Sequence, residues 1–146
     1  MDLRKLLVPV AENAESERAM DVACRLANDR RASIAVLHVV EIPPVLPLGA
    51  HMSAEEQAAH RLLERMTAIA DRYGVNAAPR TLHDRVAGHA IVGFAARREV
   101  ELIVIGAPRK RRRPFGPTVE HVLQKADCRV LLLGAAPERG QVSAAA

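Results

Sequence analysis

Aromatic residues are scarce in this chain of 146 residues, which has no tryptophan, one tyrosine and two phenylalanines. Proteins that bind single-stranded nucleic acid without sequence preference stack successive bases on aromatic side chains. The shortage argues against such a stacking platform. We therefore do not expect a nucleic acid as the main partner.

Cysteine is also rare, and Cys24 and Cys128 fit neither a CxxC pair nor a Cys/His ligand spacing. The six histidines show no paired spacing with acids or cysteines either. Structural zinc sites use such closely spaced pairs, so we predict no metal site. Both cysteines are interpreted as small core residues. His38 alternates with apolar neighbours and is interpreted as a hydrogen-bonded core histidine.

Long apolar runs are absent, since none approaches the roughly 20 residues that span a bilayer. The first residues do not resemble a secretory signal. The length suits one domain with a substantial core. We expect a cytoplasmic domain over residues 1–135, followed by a flexible tail over residues 136–146.

What the chain does contain is short apolar runs that alternate with helical periodicity. Strands are predicted at residues 6–10, 33–40, 76–82, 101–106 and 129–133, and helices between each pair of them. This alternation is typical of an α/β protein, in which helices cover both faces of a parallel sheet. Ligands of such sheets bind beyond the carboxyl ends of the strands.

Local signals mark the ends of several elements. Ser53 and Glu56 have the spacing of a capping box, and Gly74 stands where the same helix should end. Ser16 is interpreted as the N-cap of the first helix. Pro79 cannot donate to a ladder, so its strand is predicted at a sheet edge. The prolines of "EIPPVLPLGAHM" predict a long irregular loop.

The strongest functional signal is the basic loop between Gly106 and Gly116, which contains the run Arg109–Arg113. Net charge is +4, so this run could account for the whole excess. A strand-to-helix turn with glycines suits an anion, and guanidinium groups bind phosphate in a bidentate manner. Three interpretations stay open: a solvated loop, a phosphate site, and contact with an anionic membrane surface or nucleic acid.

Three segments together resemble the universal stress protein family over nearly the whole chain to about residue 135. They are "LLVPVAENAESERAM", "SIAVLHVV" and "ELIVIGAPRKRRRPFGPTVEHVLQKADCRVLLL". The resemblance implies a five-stranded parallel sheet in the order 3-2-1-4-5, of the adenine nucleotide alpha hydrolase-like fold. It also implies a homodimer through the last strand, with the predicted dimer edge at Arg129, Val130, Leu131, Leu132 and Leu133. "GPTVEHVL" is similar to domains attached to cationic and APC-type amino-acid transporters.

The resemblance also implies which residues bind a nucleotide, although the motif is only partly matched. Gly106 and Gly116 fit two glycines of the ATP-type loop, whereas Arg109 replaces the glycine between them. Pro117 occupies the hydroxyl position, with Thr118 next, and Ala11 replaces an acid after the first strand. The predicted nucleotide-binding residues are Pro9, Val10, Ala11, Val39, Gly106, Arg109, Arg111, Gly116, Thr118 and Val119.

Two function hypotheses follow from the resemblance and the loop. The first is a regulatory module that binds an adenine nucleotide (ATP, AMP or cyclic di-AMP) through a degenerate phosphate loop, with Mg²⁺ only as a companion of ATP. The alternative is a ligand-free dimeric interaction module that regulates a partner such as an amino-acid transporter. No set of nucleophile, base and oxyanion donors emerges, so we do not expect an enzyme.

Overall fold

The computed structural model describes residues 3–109 and 115–134. The predicted tail and most of the basic run, including Arg111, lie outside these described residues. The strands are β1 (Lys5–Pro9), β2 (Ser33–Glu41), β3 (Ala77–Asp84), β4 (Leu102–Ala107) and β5 (Arg129–Gly134). The helices are α1 (Ala14–Arg30), α2 (Ser53–Tyr73), α3 (Ala87–Arg97) and α4 (Pro117–Lys125).

All strand pairs are parallel, and the sheet order is β3-β2-β1-β4-β5. This confirms the predicted α/β fold and its strand order. Strands β3 and β5 are the two edges, as predicted for the strand that contains Pro79. Strand β4 is buried along its whole length, which explains its continuous apolar sequence.

Two cores lie on opposite faces of the sheet because successive side chains of a strand point in opposite directions. Leu6 and Val8 of β1 pack in one core with α1 and α2. Leu7 packs in the other with residues of α3 and α4. Cys24 is completely buried in the first core, and Cys128 packs partly buried against the second, as expected for small core residues.

The start of α2 differs from the predicted capping box. Ser53 is the first helical residue, and Met52 is the N-cap without a side-chain hydrogen bond. The Met52 carbonyl already accepts the first helical bond, from the Glu56 N–H at 2.8 Å. The Glu56 carboxylate instead accepts a hydrogen bond from His83 Nε2 at 3.0 Å. His83 of β3 is thus the partner of Glu56, in place of the backbone N–H that a capping box would use.

The other end of α2 follows the prediction. Gly74 has a φ of 68°, and its N–H donates to the helix carbonyls of Ala70 and Asp71. This left-handed conformation carries little penalty for glycine. The proline-rich loop before α2 is irregular, as predicted. Two turns within it are closed by hydrogen bonds to the carbonyls of Pro43 and Pro47, from the N–H groups of Leu46 and Ala50. Among the described helices, none is long and apolar enough to cross a membrane.

Candidate functional site

A cleft of about 310 Å³ opens beyond the carboxyl ends of β1, β2 and β4. It lies above the junction of β1 and β4, where the chain order of the strands reverses. Parallel α/β sheets bind their ligands at this position. The lining residues are Pro9, Val10, Ala11, Asn13, Ser16, Leu37, His38, Val39, Glu41, Ala87, Ile91, Ile105, Gly106, Pro108, Gly116, Pro117, Thr118 and Val119.

The N-terminus of α1 is closed by its own side chains. Asn13 is the N-cap, and its Oδ1 accepts from the Ser16 N–H at 2.7 Å. Ser16 Oγ accepts from the Ala11 N–H at 2.9 Å. The prediction that Ser16 caps the helix is therefore wrong, because Asn13 does so three residues earlier. Ser16 is buried and fixes the turn between β1 and α1.

The N-terminus of α3 is closed by a carboxylate from β2. Glu41 Oε2 accepts a hydrogen bond from the Ala87 N–H at 2.9 Å. Negative charge is favourable at this end of a helix. Glu41 was not among the predicted site residues, because its distance of 46 residues from Ala87 gives no local signal.

Within the described part of the chain, no side chain caps the N-terminus of α4, which borders the cleft. Gly116 is its N-cap, with no side-chain hydrogen bond, and Pro117 is its first residue. Pro117 is suited to this position because it lacks an N–H that would otherwise be unpaired. The first intrahelical bond runs from the Glu120 N–H to the Gly116 carbonyl. The N–H groups of Thr118 and Val119 therefore have no partner within the helix.

Gly106, at the end of β4, allows the strand to approach α1 closely. A Cβ built on Gly106 would lie 2.5 Å from the Glu15 carbonyl carbon and 2.6 Å from its oxygen. Backbone atoms cannot yield as a flexible side chain would. The sequence suggested a glycine for close phosphate approach, and the structure adds a packing requirement at the same position.

His38 connects β2 to the segment after β1. Its Nδ1–H donates to the Val10 carbonyl at 2.8 Å, which leaves Nε2 as the remaining polar atom of the ring. The ring is half-buried and lines the cleft. The prediction of a hydrogen-bonded histidine is correct, but His38 lies at the site and not in the closed core.

The acid that the family motif places after β1 is absent from the cleft. Ala11 lines the cleft at this position, and the next residue, Glu12, is not among the lining residues. Glu12 Oε2 instead forms an ion pair with Arg65 Nη2 of α2 at 2.6 Å. Glu12 therefore does not replace the missing acid one position later.

The structure brings together most of the residues that the sequence singled out. Eight of the predicted nucleotide-binding residues line the cleft: Pro9, Val10, Ala11, Val39, Gly106, Gly116, Thr118 and Val119. Arg109 is exposed and is not among the lining residues. The predicted dimer edge, Arg129–Leu133, forms β5 on the far side of β4 and takes no part in the cleft.

A second group of polar side chains surrounds the carboxyl end of β3. Asp84 Oδ2 accepts from His89 Nδ1 at 3.0 Å, and its Oδ1 accepts from the Val86 N–H at 3.3 Å. The bond from His89 is the main reason that the pKa of Asp84 lies below its usual range. Among the described residues, no group of three or more His, Cys, Asp or Glu is placed to hold a metal ion.

The two thiols are poorly suited to nucleophilic chemistry. Burial raises the pKa of Cys24 to about 11, and the nearby Asp21 carboxylate adds to this effect. Burial also raises the pKa of Cys128. The thiolate is the reactive form, so both cysteines remain protonated near neutral pH.

Comparison of the amino-acid sequence with known proteins identifies a family. Residues 2–134 match the sequence model of the universal stress protein family. A universal stress protein of Methanocaldococcus jannaschii is 27% identical over 139 residues, which cover 89% of this chain and 81% of that protein.

Solved structures show the same fold. The universal stress protein of Archaeoglobus fulgidus in complex with dAMP superposes with a TM-score of 0.75 at 22% identity, covering 90% of this chain and 98% of that chain. An Arabidopsis thaliana family member with AMP bound gives a TM-score of 0.68 at 16% identity, covering 93% of this chain and 94% of that chain. A universal stress protein in complex with cAMP gives 0.77 at 17% identity, covering 93% of this chain and 100% of that one.

Proposed function

The chain belongs to the universal stress protein family, and on that premise we propose that it is a regulatory module whose cleft binds an adenine nucleotide. The observation that carries the proposal is the open cleft at the reversal of strand order, with one uncapped helix N-terminus beside it. Relatives solved with dAMP, cAMP and AMP support the ligand class. These three ligands all contain an adenine base and a single phosphate group.

The phosphate is proposed to lie at the N-terminus of α4. Of the three helices that begin beside the cleft, α1 is capped by Asn13 and α3 by Glu41. Among the described residues, no side chain bonds to the first N–H groups of α4, those of Thr118 and Val119. Helix N-termini bind phosphate through such N–H groups and the positive end of the helix dipole. The Thr118 hydroxyl and the guanidinium groups of Arg109 and Arg111 are proposed as further donors.

The adenosine is proposed to lie at the other end of the cleft, over β2. Val39, Ala87 and Ile91 line this end and offer an apolar surface for a purine. His38 and Glu41 are the polar side chains that border it. Glu41 Oε2 is already bonded to the Ala87 N–H, so its negative charge stabilises the start of α3.

The proposed role is binding without catalysis. The Ser16 hydroxyl accepts a backbone hydrogen bond, and Glu41 caps α3; both groups therefore have structural roles. The open cleft also favours the nucleotide hypothesis over the ligand-free module, which requires the protein's own side chains to fill that space. Ligand binding is proposed to regulate a partner contact by shifting the population of conformations at the start of α4.

A blocking substitution tests the proposal. Ala11 lines the cleft yet is exposed, so Ala11→Trp would fill part of the cleft without crowding the core. Ala96→Trp, at an exposed position near the end of α3, is the matched control. Isothermal titration calorimetry with AMP, ATP and cyclic di-AMP should show binding to the wild type and the control, and at least roughly tenfold weaker binding to Ala11→Trp, equivalent to about 1.4 kcal/mol.

Two outcomes would contradict the proposal. The first is that none of the three nucleotides binds the wild-type protein. The second is that Ala11→Trp binds as tightly as Ala96→Trp while both variants remain folded.

We further propose a homodimer through β5. One side of β5 pairs with β4 along its whole length, and its other side is a sheet edge. Leu131 is exposed on this strand. An exposed edge strand with an apolar side chain is a template for pairing with another chain, and here the partner is a second copy of the protein.

A further inference from the structure

A second concave surface lies at the opposite end of the sheet from the cleft. It has a volume of about 240 Å³ and is lined by the starts of β1, β2 and β3 and by the end of α3. We call it the amino-end groove. Its lining residues are Lys5, Leu6, Ser33, Ile34, Ala35, Asn76, Ala78, Arg80, Phe94, Arg98 and Val100.

The fold leaves this corner of the sheet open. Helix α3 starts after the carboxyl end of β3 and ends before the amino end of β4. Between those two strands the sheet contains β2 and β1, so α3 must cross the sheet diagonally. The corner at the amino ends of β2 and β3 stays uncovered on the α3 face, and the exposed residues Ala78 and Arg80 of β3 lie there.

Three cationic side chains border this corner. Lys5 Nζ donates to the Arg98 carbonyl at 3.3 Å, and the Arg98 guanidinium lies 5.4 Å from the centre of the Phe94 ring. Within residues 3–109 and 115–134, Lys5, Arg80 and Arg98 form no ion pair with a carboxylate. Elsewhere on the surface, Arg18, Arg25 and Arg65 do form such pairs.

The Glu101 carboxylate lies beside the groove without lining it. Glu101 Oε1 accepts from the backbone N–H groups of Arg4 and Lys5, at 2.8 and 2.9 Å, so it is held at the start of β1. Glu101 is not among the residues that line the groove. The lining contains three positive charges and no negative one, which concentrates positive potential over a concave surface.

We propose that the amino-end groove is a second ligand site, which binds a small phosphate monoester. The forked donors of Arg80 and Arg98 match the oxygens of a phosphate group, and Lys5 adds a third positive charge. Ser33 and Asn76 are neutral polar groups on the same rim. Ala35, Ala78 and Phe94 provide an apolar floor for a short organic body. The groove lies at the opposite end of the sheet from the cleft and shares none of its lining residues.

The proposal is tested by an NMR titration of the ¹⁵N-labelled protein with inorganic phosphate at pH 7.5 and constant ionic strength. Saturable shifts are expected at the amides of Ser33, Ala78 and Arg80. Arg80→Gln and Arg98→Gln should each weaken binding at least tenfold. Arg61→Gln, at an exposed position of α2, is the matched control and should bind as the wild type does. Arg80→Lys keeps the positive charge but removes the paired N–H donors of the guanidinium group, and it should give an intermediate affinity.

Several results would overturn the proposal. One is a non-saturable shift, and another is an equal loss of affinity in Arg61→Gln, since either indicates only general charge screening. Succinate tests the ligand class: saturable shifts with succinate and none with phosphate would show a carboxylate site. Phosphate at the adenine-nucleotide cleft would instead shift the Thr118 and Val119 amides, so failure of one site is distinguishable from failure of the other.

Discussion

At the scale of single residues, some side chains act on their own backbone and others act through hydrogen bonds to backbone groups elsewhere in the chain. Gly74 and Pro79 constrain their own backbone, so their roles were predictable from residue type alone. Asn13, Glu41 and Ser16 act through hydrogen bonds to particular backbone groups. Each of these residue types has several plausible roles, and only the fold selects among them. Glu41 in particular caps a helix that begins 46 residues later.

At this scale the pair of Asp84 and His89 gives a prediction about pH. The hydrogen bond from His89 lowers the pKa of Asp84, so the pair stabilises the fold above the ordinary carboxyl pKa of about 4. That contribution is lost as the pH falls through the lowered pKa. We expect His89→Ala to raise the pKa of Asp84 toward its ordinary value, as measured by NMR titration of the carboxyl carbon.

His60→Ala is the control for this measurement. It removes an exposed histidine that pairs with Glu64 at 2.7 Å within α2 and should leave the Asp84 titration unchanged. An unchanged Asp84 pKa in His89→Ala would show that the hydrogen bond is not its cause.

At the scale of elements, periodicity and apolar runs predicted every strand and helix of the described chain, because each buries a face with a regular period. The ends were less predictable. The capping box predicted at Ser53 is wrong, because the Glu56 carboxylate bonds to His83 on β3 and not to the start of its own helix. The close contact of β4 with α1 could not be inferred either, since Gly106 and Glu15 are far apart in sequence.

The Gly106 contact can be tested by stability. Gly106→Ala would place its Cβ within 2.6 Å of the Glu15 backbone, so β4 and α1 must separate. We expect a loss of about 1–3 kcal/mol in the free energy of unfolding, as is usual for overpacking, measured by urea denaturation. Gly49→Ala is the control, because nothing lies within 4 Å of the added carbon. Equal stability of the two variants would rule out the packing role.

At the scale of the whole molecule, the order of the strands determines which residues from distant parts of the sequence come together. The order β3-β2-β1-β4-β5 brings Pro9, Val39, Gly106 and Thr118 around one cleft, and the family resemblance predicted this grouping. The same order gathers Lys5, Arg80 and Arg98 at the other end. The spacing of these three residues in the sequence does not predict that they lie together, because their grouping depends on the diagonal course of α3.

The proposed dimer also belongs to this scale. Leu131 is 37% exposed on the edge strand β5, and Leu131→Lys would place a charge in a β5–β5 interface. We expect sedimentation analysis to show a dimer for the wild type and a monomer for Leu131→Lys. Val45→Lys changes an 89% exposed residue of the loop before α2 and should remain dimeric. A monomeric wild type, or a dimeric Leu131→Lys, would contradict the proposed interface.

The central claim is that an adenine nucleotide places its phosphate at the N-terminus of α4. The most direct test is a ¹⁵N NMR titration that compares AMP with adenosine, which differ only in the phosphate. AMP should shift the Thr118 and Val119 amides in a saturable manner, and adenosine should shift Val39 while leaving those two amides nearly unchanged. If AMP, ATP and cyclic di-AMP all leave the amides around the cleft unmoved, the account is wrong.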